Sequence, residues 1–199
     1  MLGTHLPRIT LILCALALCL QFLPQAFQSL LYFDRAQLLG SPAASLSLIT
    51  AHWIHADWSH LVWNLAALGV LGAILEQQSA RLLVSAVITG TIGVNALLLS
   101  PMATIDQYCG LSGLLNTLLG VALFEAWRRT RAPGVAFIAC LCLCKLGVEL
   151  WWQQSLLTDF SWPPYVPAHL AGLLATPLAL VWAYPGNFFD RIKVWKTAI

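Results

Sequence analysis

The chain has 199 residues, 59% hydrophobic and only 9% charged, with a formal net charge of +2. A mean hydropathy of +0.78 excludes an ordinary water-facing domain, and the small charge gives no basic face for nucleic acid. The length fits one domain.

Six apolar segments, roughly 8–26, 59–76, 82–100, 111–127, 135–153 and 166–184, approach the ~20 residues that span a bilayer. Lipid offers no partners to unpaired backbone groups, so they predict an all-α, six-span membrane bundle occupying residues 1–199 as one domain. The first segment has the outline of a signal peptide: Arg8, an apolar core, then Pro24-Gln25-Ala26. The core is long and no small-x-small site closes it, so it reads as an uncleaved span. Residues 27–58 form the longest connection, mixed in polarity and ending in "LSLITAHWIHADW", predicted to lie in the membrane interface. Asp57 and Ser59 read as N-cap residues for the second span. The other connections are short, so neighbouring spans run antiparallel and spans two, four and six start at one face. "FFDRIKVWK" at 188–196 is basic and amphipathic, suited to the inner leaflet surface.

Lys and Arg set the orientation. With the N-terminus in the cytoplasm, Arg8, Arg81, Arg128, Arg129, Arg131, Arg191, Lys193 and Lys196 all lie inside, leaving Arg35 and Lys145 as exceptions. Asp34, Asp57, Asp106 and Asp159 fall on the other side, so both termini are expected in the cytoplasm. The six cysteines make no disulfide framework. Cys14 and Cys19 fall in the first span, Cys140, Cys142 and Cys144 in the fifth, and Cys109 near the outer face. All read as small packing residues.

Polar residues inside the spans carry the chemistry. Span two holds His60 and Asn64, span four Ser112, and span six His169. Sixteen residues separate Ser112 from Arg128, His169 from Pro185 and His60 from Glu76, which is ~24 Å of helix in each case. The three therefore share a layer just beneath the outer surface, with Asn64 one turn deeper. Intramembrane polar groups face the bundle interior and mark function. A serine hydroxyl becomes a nucleophile when a base takes its proton, and imidazole has a suitable pKa. Acyl transfer also needs oxyanion donors, available from Asn64, a histidine, or backbone N–H groups where span four begins. Gly110 and Gly113 flank Ser112, and Ala168 and Gly172 leave room beside His169 for a close helix approach. A lone Ser or His would be packing; four on co-oriented helices at one depth favour catalysis.

"GLSG" at 110–113, "HLVWN" at 60–64 and "AHLAG" at 168–172 together resemble the rhomboid family of intramembrane serine proteases. Glu76 falls where that family often has an acidic residue, and His55 matches a further family histidine. The resemblance spans segments two to six. It implies Ser112 as nucleophile, His169 as its base in a dyad without a carboxylate, and His60, Asn64 and the Ser112 N–H as the oxyanion hole. No cofactor, metal or nucleic acid is expected. Two features depart from the family: "SLSLIT" replaces a Trp-Arg pair in the first loop, and Asn116 replaces a tyrosine that stacks on the catalytic histidine. A hydrogen bond from Asn116 is expected to hold His169 instead. The compact six-span form is similar to the rhombosortase branch. That implies a bacterial inner-membrane enzyme whose active site lies near the periplasmic face. Its client would be a membrane-anchored protein with a single C-terminal transmembrane helix and a Gly-Gly, apolar-helix, basic-tail signal.

Two rivals stand beside this reading. A catalytically inactive rhomboid-like protein that binds membrane clients would tend to lose the serine or histidine, and both are present. A metal site at His52, His55 and His60 lacks a His-Glu-x-x-His pattern and a completing ligand set beyond Asp57. Lys145 and Glu149, one turn apart in the fifth span, are expected either to neutralise each other or to line the substrate route.

Overall fold

The computed structural model describes residues 5–154, 156 and 164–185. In chain order the elements are α1 (Arg8–Gln21), α2 (Gln25–Leu31), β1 (Phe33–Asp34), α3 (Arg35–Gly40), a 3-10 turn over Pro42–Leu46, and α4 (Ser47–Thr50). There follow α5 (Trp58–Gln78), α6 (Ala80–Leu98), β2 (Gln107–Tyr108), α7 (Ser112–Thr130), α8 (Pro133–Trp152), α9 (Val166–Leu174) and α10 (Thr176–Ala183). Among the described residues, four stretches are long and apolar enough to cross a membrane: α5, α6, α8 and the continuous run Val166–Ala183.

The sequence led to an expectation of six such stretches, and two fall short for different reasons. Instead of 8–26, the first helix stops at Gln21, and Pro24, which cannot donate to a helix already running, separates it from α2. α7 is 19 residues long but carries Glu125, Arg128 and Arg129 in its final turns. Elsewhere the boundaries follow local signals. The Asp57 carboxylate accepts from the His60 N–H at 2.7 Å and starts α5, so Asp57 and not Ser59 is the cap. Ser79 caps α6, Pro133 opens α8, and left-handed Arg131 and Gln153 close α7 and α8.

The long connection 27–58 is folded rather than draped. β1 pairs antiparallel with β2, Phe33 opposite Tyr108, tying this connection to the segment just before Ser112. Arg35 Nη2 donates to the Leu98 carbonyl at 2.7 Å, where α6 ends and its free carbonyls favour a cation. This gives one of the two exceptional basic residues a structural role. Asn95 Nδ2 donates to Leu48 O at 2.7 Å, and His52 Nε2 lies 3.1 Å from Asn95 Oδ1. The basic segment at 188–196 and most of the connection between α8 and α9 lie outside the described residues.

α7 is the centre of the bundle and contacts α5, α6, α8, α9 and α10. Its Leu114, Leu118 and Val121 are fully buried among Leu61, Leu68 and Leu75 of α5 and Leu82, Leu83 and Ala86 of α6. Without a hydrophobic drive between helices in lipid, small residues and hydrogen bonds hold such contacts. Gly90 of α6 meets Leu114 and Thr117, and the Thr117 hydroxyl donates to Gly172 O of α9 at 2.5 Å. At the far end, buried Glu125 accepts from Arg128 Nη2 at 2.7 Å and from the Tyr184 hydroxyl at 2.9 Å, pinning α7 to the chain end of α10. Glu76 serves α1 similarly: its two oxygens accept from Ile9 N, Thr10 N and Thr10 Oγ1 at 2.7 to 2.8 Å. α8 stands apart. Only 11% of its apolar run is buried, against 33–44% for the other three crossing stretches, and Phe137, Ile138 and Leu141 are exposed.

Candidate active site

Ser112 opens α7, and His169 sits one turn into α9. Their helices touch because neither carries bulk at the crossing. A Cβ on Gly172 would collide with the Gly113 carbonyl, and one on Gly113 would meet Val94, the Tyr108 hydroxyl and the Ala168 carbonyl. At this separation His169 Nε2 lies 3.0 Å from Ser112 Oγ. Ser112 and His169, predicted to share a layer with His60, are therefore adjacent.

The turn before Ser112 is held from several sides. Gly110 has φ +109°, a left-handed conformation that suits glycine, and a Cβ there would lie 2.6 to 2.8 Å from the His60 ring. Its N–H donates to Ala51 O at 2.8 Å, and its carbonyl accepts from the Tyr108 hydroxyl at 3.0 Å. Tyr108 was not singled out from the sequence, although it begins the same run, "YCGLSG". A tyrosine next to a membrane interface is so common that only its contacts distinguish it. Burial raises its hydroxyl pKa, and burial pushes the neighbouring Cys109 thiol up to about 12.

His60 and Asn64 lie on the buried face of α5. The His60 ring packs on Gly110 and meets the His55 ring edge-on at 5.0 Å, while His55 is fully buried. Asn64 Nδ2 is buried without a hydrogen-bond partner among the described residues, and Asn64 lines the same cavity as Ser112 and His169. Asn116 departs from expectation. Its Nδ2 donates to the Ser112 carbonyl at 2.8 Å, back along its own helix, instead of steadying His169. The helix offers that carbonyl four residues earlier on the same face, so the local bond wins.

The cavity has a volume of about 680 Å³. It runs beside α7 from Ser112 to Phe124 and is lined across from α7 by Ala139, Cys142, Leu143, Lys145, Leu146 and Glu149 of α8. Lys145 Nζ and Glu149 Oε1 are 2.6 Å apart, so the two charges do pair, and both also line the cavity. Chemically, an imidazole nitrogen 3.0 Å from a serine hydroxyl can take its proton as the oxygen attacks a carbonyl, and a buried amide N–H₂ can receive the charge that forms. No three of His, Cys, Asp and Glu converge as a metal shell among the described residues.

Comparison with the curated proteins returns no match. The family model for the Rhomboid domain matches residues 43–185, which takes in the Ser112 turn, the α5 polar pair and His169. Membership of that family suggests serine peptidase activity within a membrane, in keeping with the apolar helices. The chain belongs to the rhomboid family.

Proposed function

We propose that the protein is an intramembrane serine endopeptidase in which Ser112 is the nucleophile and His169 its base. The single observation that carries this reading is the 3.0 Å contact between Ser112 Oγ and His169 Nε2, opening on a largely apolar cavity. The attacking tautomer holds its proton on Nδ1. As Ser112 Oγ bonds to the client carbonyl carbon, its proton passes to Nε2. The oxyanion takes hydrogen bonds from Asn64 Nδ2, His60 and the Ser112 N–H. The C–N bond then breaks, and His169 returns the proton to the leaving amine. Water or another nucleophile resolves the acyl-enzyme. His55 supports His60, and Gly110, Gly113 and Gly172 keep the groups in register.

The client in this reading is a membrane-anchored protein with one C-terminal transmembrane helix, cut at a Gly-Gly signal in rhombosortase fashion. α1 and α7 complete six crossings with the four apolar stretches. The termini lie in the cytoplasm of a bacterium, and the site lies near the periplasmic face of the inner membrane. The support is the asymmetry of Lys and Arg between alternate connections of the sequence.

A fluorophosphonate probe tests the chemistry. Wild-type protein in membranes should be labelled; Ser112→Ala should abolish the signal and His169→Ala reduce it to background. Folded wild-type protein that resists the probe and cleaves no Gly-Gly client would return the chain to an inactive, client-binding role.

A further inference from the structure

α8 is the most apolar of the four crossing stretches, with mean hydropathy 1.8, and yet it holds Lys145 and Glu149. Charges at such depth are expensive and normally paired. The two partners are not equally occupied. Glu149 has a side chain 2% exposed, and its Oε1 accepts both from Lys145 Nζ at 2.6 Å and from the Leu156 N–H at 3.0 Å. Glu149 thus neutralises Lys145 and holds the chain beyond the end of α8. Lys145 has a side chain 40% exposed and an ammonium with three donors, only one of which Glu149 Oε1 engages. The accessible end of the pair is therefore positive. It opens on the cavity of Ser112 and His169, beside Leu115, Leu119, Leu143 and Leu146.

The depth of Lys145 follows from helix rise. Ser112 stands eighteen residues from the end of α7 at Thr130, and Lys145 stands twelve from the start of α8 at Pro133. The six-residue difference puts Lys145 ~9 Å deeper than Ser112. An extended chain covers that distance in about three residues.

We propose that Lys145 is a specificity-determining residue, which selects clients with an acidic side chain about three residues beyond the cut. The inference rests on the proposed protease reading, in which the client runs inward from Ser112. An Asp or Glu at that position is poorly solvated in lipid and costly to hold there. In the cavity it gains the Lys145 ammonium. Lipid and enzyme therefore differ most for clients carrying this group, and that difference is what selection requires.

The test uses full-length Ser112→Ala protein in phosphatidylcholine vesicles, so binding is read without cleavage. The probes are labelled single-span peptides with Gly-Gly, an apolar helix and a basic tail, identical except for Asp, Leu or Lys three residues after the Gly-Gly pair. The Asp peptide should bind about tenfold more tightly than the Lys peptide, the yield of one charge-assisted hydrogen bond. Lys145→Met should erase that preference while still binding the Leu peptide. Lys145→Glu combined with Glu149→Lys, which keeps the pair's attraction, should reverse it. Equal binding of the Asp and Lys peptides, no binding of the Asp peptide, or a preference that survives Lys145→Met would each overturn the proposal. A failure of the protease reading shows separately, as wild-type protein that the fluorophosphonate probe leaves unlabelled.

Discussion

Gly172 faces the carbonyl of Gly113 so closely that a methyl group on its Cα would overlap the oxygen. This backbone-to-backbone contact sets the α7–α9 spacing, and the spacing sets the 3.0 Å between Ser112 Oγ and His169 Nε2. Gly172→Val must push the helices apart, because the obstacle is main chain and cannot rotate away. The overpacking should cost about 1–3 kcal/mol in stability. Fluorophosphonate labelling of the folded fraction should fall by at least tenfold, since ~1 Å at a reacting pair is worth up to 10²-fold in rate. Undiminished labelling would mean the pair tolerates a looser seam.

Asn64 Nδ2 is buried without a hydrogen-bond partner among the described residues and lines the cavity of the Ser112–His169 pair. A donor that no protein group occupies is available to an oxyanion formed at Ser112. Asn64→Ala should reduce kcat by roughly 10²–10³, the usual loss for one oxyanion donor, with little change in KM. Thermal stability should hold or rise slightly, because the variant removes an unsatisfied buried amide. A fall in KM-limited binding with kcat intact would move Asn64 from the transition state to client recognition.

Much of this site was legible in the sequence because depth is arithmetic. Helix rise put Ser112, His169 and His60 in one layer, and three short motifs joined them to a family. Lateral placement was not legible: level residues can sit on opposite sides of a bundle, and the Gly113–Gly172 seam is what brings Ser112 and His169 together. Asn116 shows the limit from the other direction. The family resemblance led to an expected bond to His169, but its bond to the Ser112 carbonyl reflects a local competition that spacing does not reveal. The 27–58 connection gave the weakest reading, because its order depends on partners distant in sequence, Leu98 for Arg35 and Tyr108 for Phe33. Counting six apolar runs likewise missed the break that Pro24 makes after α1.

Glu76 holds the first turn of α1 through three hydrogen bonds, two of them to free backbone N–H groups at its N-terminus. A carboxylate there is favoured by the helix dipole as well as by the bonds themselves. Glu76→Ala should destabilise the protein by about 2 kcal/mol or more, and Glu76→Gln, which keeps acceptor capacity on one oxygen, by less. The readout is a thermal shift in detergent. Because Glu76 lies sixteen residues, ~24 Å, along α5 from His60, probe labelling at low temperature should be unchanged in both variants.

The connection beside the site should also make the protein sensitive to acid. His52 and His55 are fully buried, and burial lowers their pKa from the ordinary 6.5 to about 4 and about 3 respectively. For His52 the contact with Asn95 opposes that shift, and for His55 the nearby His60 adds to it. Both are therefore neutral in the folded protein at pH 5, where an unfolded chain would protonate them. The unfolded state binds more protons between pH 6.5 and the folded values, so stability rises with pH through that window. Thermal stability should be level above about pH 7 and decline steadily as pH falls from 6.5 towards 4. His52→Gln and His55→Gln should flatten the decline, whatever they do to stability at neutral pH. A profile equally steep in the double variant would assign the acid sensitivity to the carboxylates instead.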